Sequence, residues 1–127
     1  MHTITVAQWV AALRSGGYPQ TKNHLRTDKG FCCLGVACDL AAIPFAMSSS
    51  DIYLYTFELD GLITYKGMHL PQSVLVDLDL EARHNGYESK SLVDTIVVMN
   101  DRGSTFSEIA DLIEKYLPAD FIIKLSD

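Results

Sequence analysis

The same helix-starting device stands near both ends of this chain. Thr5-Val6-Ala7-Gln8 and Thr105-Phe106-Ser107-Glu108 each fit a capping box. In that motif the threonine hydroxyl accepts from the third helical amide, and the Gln or Glu side chain reaches back to the threonine amide. Behind the first box, Val6, Trp9, Val10 and Leu13 share one helical face until Ser15-Gly16-Gly17 stops the run. Behind the second, Phe106, Ile109, Ala110, Leu112 and Ile113 form the apolar face, and Pro118 follows the end. Two helices with one apolar stripe each must bury those stripes against other elements.

The intervening chain supplies those elements. The polar loop from Gln20 to Gly30 leads into a helix expected from about Phe31 to Ala42, ending before Pro44 because a residue preceding proline avoids the α region. Gly35 lowers helix propensity inside that segment and predicts close approach by another element. Ser48-Ser49-Ser50 reads as a loop. Residues 52–57 and 62–65 are rich in β-branched and aromatic side chains, and Asp60-Gly61 between them suits a tight hairpin turn. Leu70-Pro71 opens a third helix that His84-Asn85-Gly86 breaks. Ser91 can cap a fourth carrying Leu92, Ile96, Val97 and Met99, although the β-branched run at 95–98 also suits a strand. Phe121-Ile122-Ile123 reads as a short strand or a docking tail. These elements predict one α+β domain over residues 1–127, mostly helical, with about five helices and a small antiparallel hairpin or sheet.

The 127 residues fit a single domain, and 48% hydrophobic content excludes a disordered chain. No apolar run approaches the roughly 18 residues that cross a bilayer. The first residues carry no basic, apolar secretory leader, so the chain is expected in the cytosol. Three cysteines without an export signal predict reduced thiols. The net charge of -6 excludes general duplex-DNA binding, which depends on neutralising phosphates. The charge is uneven: residues 1–47 hold four basic and two acidic side chains, residues 48–127 six basic and fourteen acidic.

Three stretches carry a resemblance. They are Trp9-Val10-Ala11-Ala12-Leu13-Arg14-Ser15-Gly16-Gly17-Tyr18-Pro19-Gln20, then Leu25-Arg26 with Gly30-Phe31-Cys32-Cys33-Leu34-Gly35-Val36-Ala37-Cys38-Asp39-Leu40, then Met99-Asn100-Asp101-Arg102-Gly103 through Phe106-Ser107-Glu108-Ile109-Ala110-Asp111-Leu112-Ile113-Glu114. Leu70-Pro71 before a helix is a weaker fourth. The pattern resembles a family of small tailed-bacteriophage and prophage proteins with no established activity. Arg102 departs from it, standing where a small residue is expected, and residues 44–69 match nothing in it. The resemblance implies the host cytoplasm and a role in managing the host.

Two constellations carry chemistry. Lys22, Asn23, His24, Arg26, Thr27 and Lys29 crowd into eight residues beside an expected helix start, and Arg102 and Ser104 precede another. Cations and free helix amides suit a phosphate-bearing ligand if the two helix starts meet. The plainer reading is solvated loop charge. Cys32 and Cys33 sit at a helix start, where a thiol's pKa falls. With His24, His69 or His84 as base and Asn100 or Asp101 to orient it, either could be a nucleophile; buried small hydrophobes are the alternative. No Cys-x2-Cys pair supports zinc, and Asp77, Asp79 and Glu81 read as a solvated helix face.

No phosphate loop, dinucleotide fingerprint, metal-hydrolase motif or nucleophile elbow is present, which favours a binding protein over an enzyme. The leading expectation is a phage accessory protein that sequesters a small anionic, nucleotide-type ligand to counter host defence. Its alternatives are an acidic inhibitor of a host protein and a cysteine-dependent hydrolase. Neither cofactor nor metal is called for. The partners this reading admits are the anionic ligand, a host protein and a second copy of the chain, not duplex nucleic acid or a membrane.

Overall fold

In the computed structural model, which describes residues 2–48 and 50–127, both capping boxes form. Met1 and Ser49 lie outside the described residues, so the expected Ser48–Ser50 loop is described only at its flanks. Helix α1 (Val6–Arg14) starts at the Thr5 cap, and its buried face of Val6, Trp9, Val10 and Leu13 is the stripe read from the sequence. It packs on the last helix and on the cysteine helix, which makes it the centre of the domain. Burying each such side chain stabilises the fold by about 1.5–3 kcal/mol.

Strand β1 (His2–Thr5) precedes α1, and a hairpin of β2 (Arg26–Thr27) and β3 (Gly30–Phe31) follows it inside the loop expected to be irregular. That hairpin moves the start of the next helix. Phe31 pairs with Arg26, Cys32 is extended as the N-cap, and helix α2 runs from Cys33 to Leu40. It is shorter at both ends than the sequence suggests, because Ala42 turns left-handed (φ 56°) before Pro44. Gly35 meets its expected neighbour: a Cβ there would lie 1.8 Å from the Leu25 carbonyl oxygen. The same oxygen accepts from the Cys32 amide at 3.0 Å, so Leu25 is locked onto the first turn of α2.

Strands β4 (Phe45–Met47), β5 (Tyr53–Leu59) and β6 (Leu62–Lys66) form an antiparallel sheet in that order. Asp60 and Gly61 both have positive φ, the conformation that a two-residue hairpin between twisted strands requires. Helices α3 (Gln72–His84), α4 (Leu92–Asp101) and α5 (Phe106–Tyr116) complete the domain. Residues 95–98 are helical. The Ser91 hydroxyl accepts from the Asp94 amide, and Leu92, Val93 and Ile96 turn one face to the core. Strand β7 (Ile122–Ser126) pairs antiparallel with β1, resolving the last segment as a strand. The described residues form an α+β domain of five helices and small antiparallel sheets around one buried core.

Candidate functional site

The loop after α1 and the turn after α4 are stitched together. Gln20 Nε2 donates to Asn100 Oδ1 at 2.9 Å and to the Ser104 carbonyl at 2.8 Å. Asn100 Nδ2 donates to the Thr21 carbonyl at 2.8 Å, and the Asn23 amide donates to Asp101 Oδ1 at 2.9 Å. Asn100 is almost wholly buried, so both ends of its amide must be satisfied, and this loop satisfies them. Gln20 and Asn100 thus join the first and third stretches that carry the sequence resemblance, and the Phe31 amide, donating to the Pro19 carbonyl at 2.8 Å, brings in the second.

A cavity of about 50 Å3 lies at their junction. Cys32 and Cys33 form one part of its wall, Asn23 and His24 another, and Asn100 and Asp101 of α4 a third. Met68, His69 and Val97 close it. Cys32 is buried, and its sulfur accepts from the Gly35 amide at 3.4 Å. The adjacent Cys33 thiol, followed by the Gly35 and Leu34 amides, draws the Cys32 thiol below its usual pKa, against the opposing effects of burial and the Asp101 charge. Cys33 is pushed well above by its neighbour and by burial, and its thiol donates to the Ile96 carbonyl at 3.8 Å. Burial also raises Cys38. The three thiols are free, and one of them is set apart from the others electrostatically.

The basic loop divides. Lys22 lies alongside Gly103, so Lys22, Asn23, His24, Arg102 and Ser104 gather around the Asn100–Asp101 turn. Arg26, Thr27 and Lys29 stay on the β2–β3 hairpin and do not line the cavity. The Arg26 guanidinium lies over three rings, 4.6 Å from Phe31, 4.7 Å from Phe45 and 4.3 Å from Tyr53, which pins the hairpin to the sheet. Thr27 accepts from the Lys29 amide at 3.1 Å and donates to Thr21 Oγ1 at 3.4 Å. The first turn of α5 is occupied by its own box, with the Thr105 amide donating to the Glu108 carboxylate at 2.9 Å. The start of α2 is occupied by the Cys32 sulfur.

His84 stands apart from the thiols. It ends α3 and borders a larger cleft of about 580 Å3 between α3 and β7, whose walls also carry Leu80, Ile122, Asp77, Glu81 and Lys124. Asp79 is not in that cleft; it accepts from the Ser91 hydroxyl at 2.6 Å and from the Val93 amide, fixing the start of α4. Among the described residues no three His, Cys, Asp or Glu side chains gather as a metal ion requires. No helix among them is long and apolar enough to cross a membrane. Gln20 and Met68 escape the sequence reading. Gln20 had a signal in its place directly after Tyr18-Pro19, whereas Met68 had none.

No curated protein and no solved structure matches the chain. Residues 1–117 match a family described as a domain of unknown function, DUF8296. The match takes in both capping boxes, the cysteine helix and every residue of the cavity wall, and the chain belongs to the DUF8296 family.

Proposed function

We propose that the protein is a thiol-dependent hydrolase with Cys32 as its nucleophile. One observation carries the reading: the thiol held lowest in pKa shares a single small cavity with two imidazoles, His24 and His69. A thiolate at a helix start is a competent nucleophile, and an adjacent imidazole supplies the proton transfers. The Cys32 sulfur attacks an acyl carbon, and the leaving group departs with a proton from His24 or His69. Water then cleaves the thioester: its hydroxyl joins the acyl carbon as the acid is released, and its other proton passes through the imidazole to the departing Cys32 sulfur. About 50 Å3 admits a slender acyl or carbonyl group and leaves the remainder of a substrate outside, beside Lys22 and Arg102.

Intact-mass analysis after incubation with activated acyl esters tests this. A single acyl adduct on Cys32 is expected, absent in Cys32→Ser and retained in Cys38→Ser. His24→Ala and His69→Ala identify the base by which of them slows turnover. A native chain whose Cys32 resists acylation and alkylation, while unfolding exposes all three thiols, refutes the proposal.

A second reading rests on the cations. Among the described residues Lys22 and Arg102, beside the Asn100–Asp101 turn, make no ion pair, whereas Arg14 and Lys124 do, in a chain rich in acids. Such a rim suits capture of a small anion, including the nucleotide-type signal expected in a phage setting. A rise in melting temperature with nucleotides or inorganic phosphate, retained in Cys32→Ser, is its signature.

A further inference from the structure

Among the described residues strand β6 leaves one edge of the three-stranded sheet unpaired, and several of its side chains stand well out of the core. Leu62 is 71% exposed, Ile63 57% and Tyr65 66%. Three large apolar side chains on an open strand edge form a template for another strand. The opposite edge is different. Strand β4 has only three residues, follows Pro44, and commits the Phe45 ring to Arg26.

The backbone of β6 fixes which groups are free. Ile63 and Tyr65 lie opposite Glu58 and Thr56 of β5. The Glu58 amide and carbonyl are bonded away from β6, to Ser126 Oγ and the Asp127 amide, and the Thr56 amide donates to Pro44. In an antiparallel ladder such residues sit in non-bonded pairs. The amides and carbonyls of Ile63 and Tyr65 therefore point outward, while those of Leu62, Thr64 and Lys66 bond β5.

We infer that β6 is a homodimer interface, pairing antiparallel with β6 of a second copy about a two-fold axis through Thr64. In that register Ile63 of each copy lies opposite Tyr65 of the other. Their outward amides and carbonyls exchange as two bonded pairs, and each pair joins a β-branched side chain to an aromatic one on the same face. Lys66 of each copy falls beside Leu62 at the hairpin end of the other copy, whose turn carries Asp60, so the register brings unlike charges to the same end of the seam. The register also keeps the two Lys66 side chains at opposite ends of the seam. One sheet then runs through both copies, and the segment leading from β6 to Met68 and His69 at the cavity leaves directly from the seam.

Sedimentation across a dilution series tests the interface. The wild-type chain is expected at twice the protomer mass in the micromolar range and at the protomer mass when diluted. Ile63→Lys with Tyr65→Lys sets like charges opposite each other on both pairs. It should weaken association by at least about tenfold, with melting temperature at high dilution unchanged. Ile63→Glu with Tyr65→Glu behaves alike, and mixing the two charged variants restores the dimer mass. Hydrogen exchange should slow at the Ile63 and Tyr65 amides on association. A wild-type chain that is monomeric throughout, or a dimer that survives the lysine pair, overturns the assignment.

Discussion

The indole Nε1 of Trp9 donates to the main-chain carbonyl of Cys33 at 2.9 Å, deep in the core. This contact ties α1 to the first turn of the helix that carries the cavity thiols. Trp9→Phe keeps most of the apolar volume and removes the donor, leaving a buried carbonyl without this partner. A loss of about 1–3 kcal/mol is expected, read as a lower denaturation midpoint. Alkylation at Cys32 should accelerate as well, because the turn it caps loses an anchor.

Gly35→Ala should be far more damaging than its one methyl suggests. The added carbon would need to sit 1.8 Å from the Leu25 carbonyl oxygen, an atom that cannot swing away because it also accepts from the Cys32 amide. The helix preference of alanine is worth about 1 kcal/mol and cannot offset a backbone clash. Poor soluble yield or loss of a cooperative melt is the expected outcome. A well-behaved Gly35→Ala protein would mean that α2 and Leu25 are not in contact.

Alkaline pH should unfold the protein through a tyrosine. Burial and the hydrogen bond to Asp39, at 2.6 Å, push the Tyr18 hydroxyl up to about 12. Its unfolded value is about 10. The folded state therefore holds this proton longer, so its stabilisation is complete below pH 10 and declines as pH rises through 12. Tyr18→Phe should lower stability at neutral pH and flatten the decline in that window. Cys33, raised by its Cys32 neighbour and by burial, and Cys38 and Tyr55, raised by burial, leave a residual alkaline sensitivity.

The two cations of the β2–β3 hairpin should separate cleanly. Arg26→Ala empties the space between Phe31, Phe45 and Tyr53 and should lower the melting temperature. Lys29→Ala removes an exposed charge and should leave stability within about 0.5 kcal/mol. Arg26→Lys tests the stacking itself, since an ammonium lacks the planar face of a guanidinium. Thermal melts of the three variants decide the point.

The boxes at Thr5 and Thr105 were legible because capping is local: every atom involved lies within four residues. The same holds for the Asp60-Gly61 turn, whereas at Gly35 only the glycine inside a helix was local and its neighbour, Leu25, stands ten positions away. The small strands were harder to read. Residues 26–31 and 45–47 are too short for periodicity, and they form because Arg26 finds rings contributed by three different strands. At the candidate site, the sequence supplied Cys32, His24, His69, Asn100 and Asp101 as an unordered set. What it lacked were two long-range bonds. Gln20 to Asn100, eighty positions apart, ties the loop of His24 to α4, and the Leu25 amide to the Gly67 carbonyl brings the segment of His69 alongside. His84 stays at the far end of α3.

Pairing between β1 and β7 has a consequence during synthesis. Strand β1 finds its ladder partner only at residues 122–126, and the first amides of α1, at Val6 and Ala7, donate to the carbonyls of Phe121 and Ala119. On the ribosome residues 2–7 are thus obliged to wait for residues 119–126. A nascent chain arrested anywhere before Ala119 presents α1 with its apolar face formed and its starting edge unsealed. Such intermediates should be protease-sensitive at β1 and α1 and become resistant in a single step, when β7 clears the exit tunnel.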